Sequence, residues 1–158
     1  MFDDPNLVGS AGLLPVLRLA EAAGLERLLT AQLTVACPNA AAKAWCVLAG
    51  MLTGADCIDD LDVLRHGAMS RLFTGVRAPS TLGTFLRSFT FGHVRQLDAV
   101  NTRLLAGLAT RVPRLLAGCR DPDTPGTVAF VDVDDTIRAV HGHAKQGASY
   151  GHTKIAGK

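Results

Sequence analysis

The sequence predicts a mainly α N-terminal domain followed by the first β-strands of a second, α/β domain. Three observations predict it. Apolar residues recur at helical spacing through most of residues 14–120. Aromatics are only 5% of a chain that is 48% hydrophobic, so the core must be built from Leu, Ala and Val. Composition then changes at the run CRDPDTPG, residues 119–126, and an apolar stretch rich in Val follows. The expected organisation is a helical domain over 1–120, a linker over 121–126, and the start of another domain over 127–158.

The helical elements follow from periodicity and breakers. Leu13, Val16, Leu17 and Ala20 form a first stripe, Pro15 suits a first turn, and Gly24 suits the residue after a helix end. Leu25, Leu28, Leu29 and Leu33 form a second stripe. Pro38 breaks the chain and Asn39 is a candidate cap for a helix through Ala44, Trp45, Val47, Leu48, Met51 and Leu52, ending at Gly54. That helix is apolar on most sides and should be central to the core. A further helix is expected from Asp56 or Asp59 through Ile58, Leu61 and Leu64 to Gly67. Ser80 is the candidate N-cap of a helix over 81–89 that turns Leu82, Phe85, Leu86 and Phe89 inward. After Gly92 a longer helix runs through Val94, Leu97, Val100, Leu104, Leu105 and Leu108 and stops before Pro113.

Charge is unevenly distributed. The net charge of +2 conceals three basic and eight acidic side chains in residues 1–62, nine arginines and one aspartate in 63–120, and four basic and five acidic side chains in 121–158. An all-arginine excess of this size suits an anionic partner or a solvated basic face. The helices around it offer Thr81, Thr84 and Arg87, with Arg77 and Arg95 nearby, as DNA-contacting candidates in a helix-turn-helix-like arrangement of helix 59–66 and helix 80–89. Cys37, Cys46, Cys57 and Cys119 form no CxxC pair and sit among Leu and Ala, so buried free thiols and a reducing, cytoplasmic location are expected. No apolar run reaches membrane-spanning length.

The acidic strand is the most informative element. Residues 127–134 read as a buried strand ending in acids, and Asp132 and Asp134 fall on one face because alternate strand residues share a side. Two carboxylates there are costly to bury without a cation, and a hard divalent ion such as Mg²⁺ is the natural partner. A second strand is expected over 136–140, followed by a Gly- and His-rich tract. His141, His143 and His152 lack the spacing of a closed metal site and read as loop histidines, and Lys145 and Lys154 read as phosphate contacts or surface lysines.

The string Phe130, Val131, Asp132, Val133, Asp134, Asp135, Thr136 resembles two families. In haloacid-dehalogenase-like hydrolases, an apolar strand followed by DxDxT would make Asp132 the phosphoryl-accepting nucleophile and Asp134 the general acid/base. In that family, however, the motif usually opens the fold. The chain more closely resembles the DDE transposases of insertion sequences, whose catalytic domain is RNase H-like. Val131 to Thr136, then Val140, His141 and Gly142, then Lys145, Gln146 and Gly147, then Tyr150 and Gly151 follow that group's order. The opening helices, with Gly12, Leu13, Leu14, Pro15 and then Gly24, Leu25, are also similar.

The resemblance implies that Asp134 is the first catalytic and metal-binding carboxylate, with Asp132 as its companion. It further implies that Mg²⁺ or Mn²⁺ acts in the full-length protein and that the partner is double-stranded DNA at the element's terminal repeats; a second copy of the chain, as a homodimer, is a further candidate partner. The family's second Asp and its Glu have no candidate strands before Lys158. The chain is therefore expected to be an N-terminal fragment without full catalytic capacity, whose non-enzymatic counterpart is a DNA-binding remnant.

Overall fold

Helix α1, Leu13–Ala22, buries Leu13 and Leu17 and leaves Val16 exposed, so its apolar stripe is narrower than the sequence predicts. It ends on Ala23, and Gly24 at φ 89° turns the chain directly into α2, Leu25–Gln32. The positive φ is why glycine occupies that corner. The structure is a computed structural model that describes residues 4–113 and the strand residues 149–150 and 156–157. The chain forms two units, Met1–Arg111 and Val112–Lys158.

Helix α3, Ala40–Leu52, is central, as its composition predicts. It packs against α1, α2, α5 (Pro79–Arg87) and the 3₁₀ helix Asp59–Arg65. Asn39 stands at its N-cap, but in the left-handed region with φ 56° and no side-chain cap bond, so the expected Asn39 cap is corrected to a backbone turn. Gly50 lies where α3 meets the 3₁₀ helix, and a Cβ there would collide with the buried Leu61 side chain.

The segment expected as a helix ending at Gly67 is 3₁₀ rather than α. It is seven residues long and carries Asp59, Asp60 and Asp62, a residue type that competes with the helix for backbone bonds. The Asp60 carboxylate accepts the N–H groups of Asp56 at 3.1 Å and Cys57 at 3.0 Å, closing the turn before it. Gly67, at φ 56°, ends the element as expected, and a Cβ there would stand 2.7 Å from the Leu7 carbonyl oxygen. Helix α4, Met69–Leu72, occupies part of the stretch that the sequence leaves without an element.

Helix α5 starts at Pro79 after an extended Ala78, so Ser80 lies inside the first turn and is not the cap. Proline at this position loses no helix bond and has a preset φ. Leu82 and Phe85 are buried as expected, whereas Leu86 is 38% exposed. Helix α6, Phe91–Arg111, includes Gly92 and stops before Pro113. It packs mainly on α2. Two reciprocal hydrogen bonds fasten them: Thr34 N–H donates to Gln96 Oε1 at 2.9 Å, and Gln96 Nε2 donates to Thr34 Oγ1 at 2.8 Å.

The core gathers in three clusters. Leu25, Leu29, Leu33, Val35, Phe85 and Val100 form the largest; Leu13, Leu17, Ala49, Leu64 and Met69 form the second; Cys46, Leu61 and Leu82 form the third. Cys46 is buried as expected, but Cys37 is half-buried and Cys57 exposed, because Cys57 lies in the turn before the 3₁₀ helix. Among the described residues no helix is long and apolar enough to cross a membrane. In the second unit, strands β1, Ser149–Tyr150, and β2, Ala156–Gly157, pair antiparallel with Tyr150 opposite Ala156.

Candidate nucleic-acid interface

The sequence assigns Arg77, Thr81, Thr84, Arg87 and Arg95 to DNA. Three of them share one exposed face of α5. Thr81, Thr84 and Arg87 follow at three-residue steps, opposite buried Leu82 and Phe85. Thr84 Oγ1 donates to the Ser80 carbonyl at 3.0 Å and accepts from Arg87 Nη2 at 3.3 Å. This chain of bonds holds the Arg87 guanidinium along the helix without neutralising it.

Arg95 follows on α6, across a three-residue connection of Ser88, Phe89 and Thr90. The connection is well fixed. Thr90 N–H donates to His93 Nδ1 at 3.0 Å, while the N–H groups of His93 and Val94 return to the Thr90 carbonyl. That is the returning half of a capping box, with histidine in the place usually held by Glu or Gln, while Thr90 Oγ1 lies 3.1 Å from the same ring nitrogen. Phe89 stacks edge-on against Phe85 at 5.0 Å and against His93 at 5.8 Å. Apolar periodicity alone misses this cap, although Thr90 followed three residues later by His93 is a readable signal. Arg95 pairs with Asp98 at 3.0 Å, with 69% and 58% of the two side chains exposed. Such a pair is worth at most about 1 kcal/mol and leaves the arginine open to exchange partners.

Arg77 has different surroundings. It is half-buried, and its Nε is buried without a hydrogen-bond partner. With Glu21, Glu26, Trp45 and Cys46 it lines a cleft of about 270 Å³. The two carboxylates oppose an approaching phosphate, which sets Arg77 apart from the α5 face.

Other arginines are exposed as well. Arg71 on α4, and Arg103 and Arg111 on α6, are exposed and have no carboxylate within 4 Å among the described residues. Between α5 and α6, floored by α2 and α3, lies an apolar groove of about 460 Å³ whose mouth includes Met51, Leu86 and Val94. Nothing in the sequence signals this groove, since periodicity places Leu86 in the core.

Asp132 and Asp134, with His141, His143, His152, Lys145 and Lys154, lie outside the described residues. Among the described residues no group of three His, Cys, Asp or Glu side chains is arranged to hold a metal ion. No protein-family model, no curated protein and no solved structure matches the chain.

Proposed function

We propose that this chain acts in DNA transposition as part of a DDE-type insertion-sequence transposase. In this reading the helical unit binds the element's terminal repeats. Asp134, with Asp132 beside it, supplies the first catalytic carboxylates of an RNase H-like domain. The observation that carries the reading is the ordered string from Val131 through Gly151, in which D-x-D-x-T closes an apolar, Val-rich stretch of sequence and Gly-rich polar residues lead to Tyr150 and Gly151. The exposed Thr81, Thr84 and Arg87 face supports it, as do the unmatched arginines of α4 and α6.

Asp132 and Asp134 are hard oxygen donors, the chemistry that Mg²⁺ or Mn²⁺ takes. When bound, such ions activate water or a 3′-hydroxyl and stabilise the leaving oxygen. The contribution of the chain's own residues is to hold the duplex: arginine side chains meet phosphates, and Thr81 and Thr84 stand at a helix surface sized for the major groove.

Two measurements test the proposal. The genomic DNA around the coding sequence should carry flanking inverted repeats, and the chain should bind a duplex of those repeats more tightly than an unrelated duplex. Equal binding to both would remove the element-specific part of the reading. The D-x-D-x-T string also fits a phosphohydrolase, so turnover of a simple phosphate ester that disappears in Asp132→Asn would overturn transposition in favour of that chemistry.

A further inference from the structure

We propose that Cys37 and Lys43 form an oxidant-sensitive modification site, in which a hydroperoxide converts the pair into a covalent sulfenamide cross-link. The site is independent of the DNA reading. Cys37 lies in the turn between α2 and α3, half-buried against the cluster around Leu29 and Val35. Lys43 lies in the first turn of α3, where its N–H bonds to the Asn39 carbonyl at 3.0 Å. Its side chain folds back over that turn, and Nζ stands 2.9 Å from Cys37 Sγ.

Lysine is normally among the most exposed residues, with its ammonium in water. Here the side chain is half-buried and has no carboxylate within 4 Å among the described residues. Its polar contact is the sulfur. The other two described cysteines have no such neighbour. Cys46 is buried in the core, and Cys57 sits beside the Asp60 carboxylate. Neither has an amine placed to capture its oxidised form.

The chemistry balances in two steps. The Cys37 thiol reacts with hydrogen peroxide: the O–O and S–H bonds break, an S–O bond forms, and the sulfur passes two electrons to the peroxide, giving sulfenic acid and water. Lys43 Nζ, after losing its extra proton to solvent, attacks that sulfur. The S–N bond forms, the S–O bond breaks, and the departing hydroxide takes the second amine proton and leaves as water. Overall, thiol, amine and peroxide give a sulfenamide and two waters, and the chain loses two hydrogen atoms. An added thiol attacks the sulfur and releases the lysine, so the link is reversible.

The test is peptide mapping of the full 158-residue chain after mild hydrogen peroxide treatment. Trypsin normally separates residues 28–43 from 44–65 by cutting after Lys43. After oxidation the two segments should remain one uncut peptide, lighter by two hydrogens, and dithiothreitol should restore the cut. A disulfide between Cys37 and Cys46 or Cys57 would instead join two cut segments, heavier by one water. Lys43→Arg keeps the positive charge beside the sulfur without a nucleophilic amine. In that variant a sulfenic-acid trap such as dimedone should label Cys37, and the cut after position 43 should persist. Oxidised wild-type chain that is cut normally at Lys43, or an uncut peptide that survives in Cys37→Ser, would overturn the proposal.

Discussion

The acidic and basic halves of the helical unit use their charges differently. In the first half, and through the 3₁₀ helix, several carboxylates are occupied with local structure. Glu21 pairs with Arg18, Asp60 closes the turn before the 3₁₀ helix, and Asp62 meets both Arg65 and His66. Beyond residue 70, the one aspartate among the described residues is Asp98, which pairs with Arg95 alone. Arg71, Arg87, Arg103 and Arg111 meet no carboxylate among the described residues. Net charge therefore says less than charge that is left over after folding. The acids shape the fold, and the arginines remain available to an anionic partner.

The largest expected effect breaks the basic side of this comparison. Replacing Arg71, Arg87 and Arg103 together with Gln should weaken duplex DNA binding. It should also flatten the slope of log K against log salt by about 1 for each phosphate no longer neutralised. Arg77→Gln should change that slope least among single arginine variants, because Glu21 and Glu26 share its cleft. Fluorescence anisotropy at several salt concentrations measures both. The arginine variants should leave thermal stability nearly unchanged, since exposed charges contribute little to it.

Structural positions should behave in the opposite way. Gly50→Val forces a side chain into Leu61, which is 3% exposed, so the Leu61 side chain must shift within the core. Overpacking of this kind costs about 1–3 kcal/mol, to be read as a lower denaturant midpoint. Gln96→Leu removes the pair of bonds to Thr34 and should cost about 1 kcal/mol, because water can replace part of those bonds at this exposed site.

The smallest effect concerns the acidic turn. The Cys57 side chain, followed by the N–H groups of Cys57 and Asp56, holds the Asp60 carboxyl below its ordinary value of 3.8. A depressed folded-state value means that Asp60 contributes stability above the ordinary value and loses it as pH falls through the folded one. Asp60→Asn should therefore be slightly less stable than the wild-type chain near neutrality, and the difference should vanish as pH falls below 3.8, as followed by circular dichroism of unfolding at a series of pH values.

Much of the helical unit is legible in the sequence. Leu25, Leu29 and Leu33 repeat at the helical period and are all buried, and Gly24, Gly54 and Gly67 end elements at positive φ because those corners require it. The 3₁₀ helix reads as α because its buried residues, Leu61 and Leu64, are three apart, a spacing that puts two side chains on one side of either helix. Leu86 belongs to the core by its residue type, but α5 and α6 separate there and leave it at the mouth of the groove. Bonds across distant sequence carry no local signal: Thr34 and Gln96 are 62 residues apart. The candidate site is legible in part. Thr81, Thr84 and Arg87 share a face as their spacing demands, while the cleft around Arg77 depends on α1 and α2, which its own neighbourhood in the sequence does not specify.

The most direct measurement of the central claim is a salt titration of the wild-type chain on duplex DNA carrying the element's terminal repeats. Binding by the unmatched arginines predicts that log K falls linearly with log salt, with a slope of about −2 to −4 for a few phosphate contacts. Binding that is absent at low salt, or unchanged as salt rises, would contradict it.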